Sequence, residues 1–338
     1  MRYAANMTAR VYTAGRRLAL GAGATSVHFV GDNAMFTLGD GSVGIAGASE
    51  DARSIRAHDG AILCAALHPD GERLLTGGDD GELNVVSLGG KVERVIGVGG
   101  KWIGHVAASV ASGVVVAAAG KQAIVLRGDK EAHRFTYPST IGGLALDAKG
   151  RRLAASHYGG VTLRLALAAD DKGQMLSWAG SHLNVTLSPD ADYVVSAMQE
   201  NVLHGWRLPD KLDLQMTGYP AKTRSFSWIR NGRWLATSGA DRAVIWPFVG
   251  KMGPQGKEPL TLGEREALVS AVAFHPSEDV LALGYSDGAA ICVRLADQSV
   301  IELDEPGEGP VSALGWSKDG AFIALGDEAG RGALVSWP

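Results

Sequence analysis

A unit of about 41 residues repeats along this chain, and that period constrains the fold more than any other feature. In residues 68–86, HPDGERLLTGGDDGELNVV, a polar turn leads into an apolar run, a Gly/Asp turn and a second apolar run. The same order recurs at turns marked by Asn33, Gly71, Gly113, Gly150, Ala191, Gly232, Glu278 and Gly320, spaced 37 to 46 residues apart. A repeat of this size is one supersecondary unit that cannot bury its apolar face alone. Stacked neighbours must supply the rest of the core.

An alternating apolar pair precedes each turn, as in Val27/Phe29, Ala65/Leu67, Ala108/Val110, Leu144/Leu146, Val185/Leu187, Phe226/Trp228, Val272/Phe274 and Leu314/Trp316. Alternation of period two belongs to strands, and no long segment shows the three-and-four spacing of a helix. Each unit reads as three or four short strands joined by turns. A period of 40–45 residues with four strands per unit is the signature of a β-propeller. The expectation is an all-β, single propeller of four-stranded antiparallel blades. The units fall near 25–60, 61–100, 101–138, 139–180, 181–220, 221–263, 264–306 and 307–338. That makes eight blades, with seven as the alternative if the weakly marked third unit is not a full blade. The last unit holds only three strands, so residues 10–20 are expected to add the fourth and lock the ring. Small residues such as Ala65, Ala107, Gly142 and Ala271 suit crowded innermost strands.

The repeats resemble degenerate WD40 repeats over nearly the full length. Unit two carries the pattern best, with His58 before its first strand, HPDG at 68–71 and LLTGGDDG at 74–81. Unit six has ATSGAD at 236–241 and Trp246, while Trp206 and Trp337 stand in the same region of units five and eight. The resemblance implies a hydrogen-bonded brace inside each blade, built from His, Ser/Thr, Asp and Trp. Only unit two offers His58, Thr76 and Asp80 together, with Val86 at the Trp position; Asp241, Trp206, Trp246 and Trp337 are structural candidates elsewhere. The resemblance further implies a non-enzymatic scaffold that binds a protein or peptide across one face. The turn WSKDG at 316–320 also resembles those of periplasmic propellers.

Composition narrows the function. Lys and Arg number 32 against 36 Asp and Glu, a net charge of −4, which does not call for nucleic acid or an anionic membrane. No run of 18 apolar residues exists to span a bilayer. Arg16-Arg17 before a short apolar stretch faintly resembles an export signal, so the expected compartment is cytoplasmic with periplasmic as the alternative. Cys64 and Cys292 lie in separate apolar runs and read as buried thiols. The nine histidines are scattered, and no metal motif, nucleophile elbow or phosphate loop is present. No cofactor, metal or catalytic residue is expected, and the chain reads as a monomer. The alternative is an enzyme or small-ligand propeller using the axial pocket.

Loops that enter each innermost strand share a face with the turns between second and third strands. Trp102, Tyr158, His182, Arg224, Arg242 and Tyr285 fall in these loops and are the expected partner-binding residues; all but His182 are of types common at binding hot spots. Packing between blades is the competing role for Trp102 and Tyr285.

Overall fold

The computed structural model describes residues 10–11, 15–47 and 52–337. Every regular element among them is a strand. Two short strands come first among the described residues, β1 (Arg10–Val11) and β2 (Gly15–Ala19). The first sheet holds β3 (Ala24–Val30), β4 (Asn33–Leu38), β5 (Ser42–Ala46) and β6 (Arg53–Arg56). The second holds β7 (Ile62–Leu67), β8 (Arg73–Gly78), β9 (Glu82–Ser87) and β10 (Val92–Gly97). The third holds β11 (His105–Ser109), β12 (Val114–Ala119), β13 (Gln122–Arg127) and β14 (Lys130–Thr136), so the weakly marked third unit is a full four-stranded blade.

The next sheet has six strands, β15 (Gly143–Leu146), β16 (Arg152–Leu165), β17 (Gln174–Leu187), β18 (Tyr193–Met198), β19 (Leu203–Arg207) and β20 (Leu212–Met216). Then come β21 (Phe226–Trp228), β22 (Trp234–Thr237), β23 (Ala243–Pro247) and β24 (Leu260–Leu262). The sheet of β25 (Val269–Phe274), β26 (Val280–Tyr285), β27 (Ala290–Arg294) and β28 (Val300–Asp304) gains β1 as a parallel fifth strand. Last are β29 (Val311–Trp316), β30 (Phe322–Asp327) and β31 (Arg331–Ser336). β2 pairs antiparallel with β31 to complete this sheet, Arg17 opposite Ala333. Residues 15–19 and 331–336 thus meet in one blade. The closing strand is 15–19, shorter than the expected 10–20, because Arg10 and Val11 pair with Ile301 and Glu302 of another sheet. Residues 12–14, 48–51 and 338 of the expected spans lie outside the described residues.

The described strands form seven sheets, not eight separate ones. Units four and five share the six-stranded sheet through the 14-residue strands β16 and β17. The ladder shows why. Residues 153–156 of β16 pair with β15, whereas 158–163 pair with β17; in β17, 174–181 pair back to β16 and 182–187 pair forward to β18. Ala166 N donates to Arg151 O, as Leu208 N donates to Asp192 O and Phe248 N to Arg233 O in the following units. The joins at 158–160 and 179–181 are too short to interrupt the extended backbone, and Gly160 and Gly180 take φ of 144° and 120° there.

Apolar side chains fill the seams between consecutive units. Val30, Met35 and Ile45 meet Ile62, Leu74 and Val86; Leu75, Leu83 and Val85 meet Val115 and Ile124. Val161, Leu163 and Leu176 meet Val185, Leu187 and Trp206. Leu18 and Leu20 pack with Phe36 and Leu334, so β2 and the residue after it are also buried against the seam between the first and last units. The molecule is a single all-β propeller of stacked antiparallel sheets.

Candidate functional site: the loop face and its cavities

Antiparallel order sends every innermost strand away from one face and returns each second strand to it. Hydrogen bonds tie the two loop sets of that face together. Leu268 N donates to Ser286 Oγ, Tyr158 N to Ser139 Oγ, and Arg265 N to Asp241 O.

A recurrent bulge shapes the inner wall. The ladder skips one residue near the start of β3, β7, the second half of β17, β25 and β29. The skipped residues are Thr25, Leu63, Leu183, Ser270 and Ser312. Where the residue is serine it bridges to the next sheet: Ser270 Oγ donates to Val311 O at 2.6 Å and Ser312 Oγ to Ala24 O at 2.6 Å. A bulge re-aims its side chain, and here it turns hydroxyls into seam clamps.

Cavities open on this face. One, of about 580 Å³, lies at the innermost strands of units six, seven, eight and one. Thr25, Ser225, Ser238, Ser270, Ser286 and Ser312 give it a hydroxyl-rich wall, and Lys222, Arg224 and Glu328 are its charged residues. His28 also lines it; burial pushes this imidazole down to about 4, so it is neutral at pH 7. Another cavity, of about 400 Å³, is lined by Lys101, Trp102, His105, Thr140 and Ile141. Trp102 is 67% exposed and Tyr158 69% exposed, on either side of the 139–141 loop. Backbone bonds from Tyr137 N to Lys121 O and from Ile141 N to Gly120 O pin that loop.

The other expected binding residues divide. Arg224 is exposed and lines the larger cavity. Arg242 lies on the rim, but Asp241 and Glu264 hold its guanidinium at 2.8 Å, which leaves it less free for a partner. His182 and Tyr285 are not surface residues. His182 is 1% exposed, bonded through Nδ1 to Ser196 Oγ at 2.7 Å and through Nε2 to Trp178 O at 3.0 Å. Tyr285 is fully buried, donates to Gly263 O at 2.5 Å and lies under the Arg265 guanidinium. His182 lies in β17 where its pairing passes from β16 to β18, and Tyr285 ends β26; both rings turn into the seam because apolar area is better buried there.

The brace residues are also resolved. In unit two, His58 Nδ1 sits 2.9 Å from Asp80 and Nε2 2.9 Å from Thr76 Oγ1. Burial works against the Asp80 charge, but the N–H groups of Glu82 and Asp59 and the His58 ring hold its carboxyl below the usual range. In unit six, sequence spacing missed the brace. Trp246 Nε1 donates to Tyr219 Oη at 2.7 Å, Tyr219 bonds Thr237 Oγ1 at 2.6 Å, and Thr237 Oγ1 donates to Val244 O at 2.9 Å. Tyr219 precedes Thr237 by 18 residues, the separation of His58 from Thr76, and that shared offset is the signal that could have found it. Asp241 takes no part: the turn after Thr237 is one residue shorter than its counterpart in unit two, and the carboxylate pairs with Arg242 instead. Trp206 and Trp246 occupy matching ladder positions opposite Val194 and Leu235, but the match in unit eight is Val335, opposite Ile323. Trp337 lies two residues further on, edge-on to Trp316 and near the His275 ring.

His68 and His275, at equivalent turns, reach the next unit, His68 Nε2 to Asp129 at 2.9 Å and His275 Nε2 to Gly320 O at 3.1 Å. Burial pushes the Cys64 thiol up to about 12 and the Cys292 thiol well above its ordinary value. Among the described residues no group of three His, Cys, Asp or Glu gathers to hold a metal ion, and no helix is long and apolar enough to cross a membrane.

Residues 272–337 match the family model of the anaphase-promoting complex subunit 4 WD40 domain. Residues 49–87 match that of the WD domain, G-beta repeat. No curated protein matches the sequence. Among solved structures, the computationally designed Ika8 protein superimposes with a TM-score of 0.75, covering 94% of this chain and 96% of that one at 16% identity. At that identity the likeness is one of fold.

Proposed function

We propose that this chain is a WD40-type β-propeller, as the family-model matches over residues 49–87 and 272–337 support, and that it is a non-enzymatic scaffold, the usual role of that fold, binding a protein or peptide on the loop face. The observation that carries this is the pair Trp102 and Tyr158, two largely exposed aromatics flanking a pinned loop beside a 400 Å³ cavity. Aromatic side chains on rigid supports bury much area at low entropic cost, the usual composition of a hot spot. The reading places the protein in the cytoplasm as a monomer, independent of nucleic acid and membrane.

Affinity capture from the native cell tests it. Trp102→Ala and Tyr158→Ala should each weaken capture by about 2 kcal/mol, while Val110→Ala, exposed on the opposite face, leaves it intact. Capture abolished by Val110→Ala but not by the aromatic substitutions would place binding on the other face.

We infer in addition that the repeat units are arranged eightfold about the axis, with the six-stranded sheet acting as two layers. The apolar seam of Val161, Leu163 and Leu176 against Val185, Leu187 and Trp206 supports this. A crystal structure counts the layers directly, and units four and five lying in one plane would refute it.

A further inference from the structure

The larger cavity differs from the rest of the inner wall in chemistry. Units two and five place Leu63 and Leu183 at the bulge, while units one, seven and eight place Thr25, Ser270 and Ser312 there. The polar half of the ring is where the cavity lies, and its two cations both come from one loop of unit six. That loop is held from several sides. Ser238 Oγ accepts from Arg224 N at 3.1 Å and Ser225 N at 3.0 Å, Thr223 Oγ1 donates to Ser238 O at 3.0 Å, and Ala221 N donates to Gly239 O. Gly239 has φ of 103°, and a Cβ there would meet Ala221 O at 2.9 Å and Lys222 O at 3.0 Å.

This clamping leaves donors unused. Ser238 is 1% exposed, lines the cavity and accepts two backbone N–H groups, yet its own O–H has no acceptor among the described residues. Ser286 likewise accepts from Leu268 N. Neither Lys222 nor Arg224 has an ion-pair partner among the described residues, in contrast to Arg242 and Arg265 further out on the rim. The one carboxylate lining the cavity, Glu328, stands two units away. Two free cations, a buried free hydroxyl and a second hydroxyl form a set of donors lacking an acceptor, and a buried donor without one is costly.

We propose that this cavity is the specificity pocket of the loop face and receives an acidic side chain of a bound peptide, its carboxylate between Lys222 and Arg224 with Ser238 donating beneath. The proposal rests on the peptide-binding reading above and adds the chemistry of the peptide. Neutral His28 adds no charge that would bring in a second anion, and Glu328 disfavours a peptide acidic along its whole length.

Fluorescence polarisation tests this with four labelled peptide pools, each with one fixed central residue: Glu, Gln, Lys or phosphoserine. The Glu pool should bind the full-length protein roughly tenfold more tightly than the Gln pool, the worth of one charge-assisted hydrogen-bond set. Lys222→Gln with Arg224→Gln should erase that preference and reduce its salt dependence, and Ser238→Ala, assayed at a temperature where thermal unfolding shows it folded, should reduce the preference more than Ser286→Ala does. Arg242→Gln should leave it unchanged. Equal binding of Glu and Gln pools, or a preference that survives the double substitution, overturns the proposal while leaving the scaffold reading standing. Preference for phosphoserine over Glu by more than tenfold overturns the carboxylate assignment in favour of a dianion. If no pool binds and Trp102→Ala does not alter capture of the native partner, both readings fall.

Discussion

Tyr219→Phe removes one oxygen from the middle of a buried relay in unit six, and its cost follows from the geometry. Trp246 N–H donates to Tyr219, Tyr219 O–H donates to Thr237, and Thr237 O–H donates to Val244 O, so each hydroxyl gives one bond and takes one. Tyr219, Thr237 and Trp246 are all buried, so water cannot replace the missing oxygen. The variant strands the indole N–H of Trp246 without an acceptor, and an unsatisfied buried donor costs about 1–3 kcal/mol. The phenol ring remains, so no cavity term adds. Unfolding entropy of about 2.1 cal/mol/K per residue over 338 residues is ~0.7 kcal/mol/K, so about 2 kcal/mol lowers Tm by ~3 °C. Thermal and urea unfolding of Tyr219→Phe, Thr237→Val and the double variant would measure it. The double variant should lose less than the sum of the singles, because both act on one chain of bonds. A Tyr219→Phe protein melting within 1 °C of wild type, or strict additivity, would refute the brace as a source of stability.

Three further outcomes follow from other parts of the fold. Burial depresses the pKa of His105, His182 and His204 and puts His28 at about 4, so the unfolded chain binds more protons than the folded one below about pH 6.5. Stability should therefore fall as pH drops from 6.5 towards 4, and a Tm flat over that window would contradict the burial of these rings. Asp70 and Asp80, whose carboxyls lie below their ordinary range, keep their contribution until lower pH, which isolates the histidine effect. Ser312→Ala removes the bond from Ser312 Oγ to Ala24 O between the last and first units and should cost about 1 kcal/mol in urea unfolding. Deleting residues 1–19 strips β2 from β31 and exposes Leu334 and an unpaired edge, so lower Tm or aggregation by light scattering is expected; an unchanged Tm would mean the ring closes without it.

Much of the architecture is legible in the sequence because a propeller is a local structure repeated. A strand–turn–strand unit needs only alternating apolar residues and Gly or Asp turns, and both recur at a period of about 41 residues. That pattern located the strands, the shared loop face and the need for an N-terminal closing strand; the partners of His58 came from the resemblance to WD40 repeats. It did not locate the fusion of units four and five, because whether two extended segments run on as one strand depends on the path across Gly160 and Gly180, not on apolar alternation. It misplaced His182 and Tyr285, since a ring near the loop face can point to solvent or turn into the seam, and only the neighbouring sheet decides which. It put Trp337 in register with Trp246, an assignment that a two-residue offset in the ladder corrects without changing which side of the strand the ring faces. Tyr219 went unseen because its partners lie 18 and 27 residues away and meet it only when the sheet is built. The sequence determined the period, the strands and the chemistry each loop can offer. The tertiary structure decided which of those groups are left without partners, because satisfaction of a donor is a property of every element packed around it.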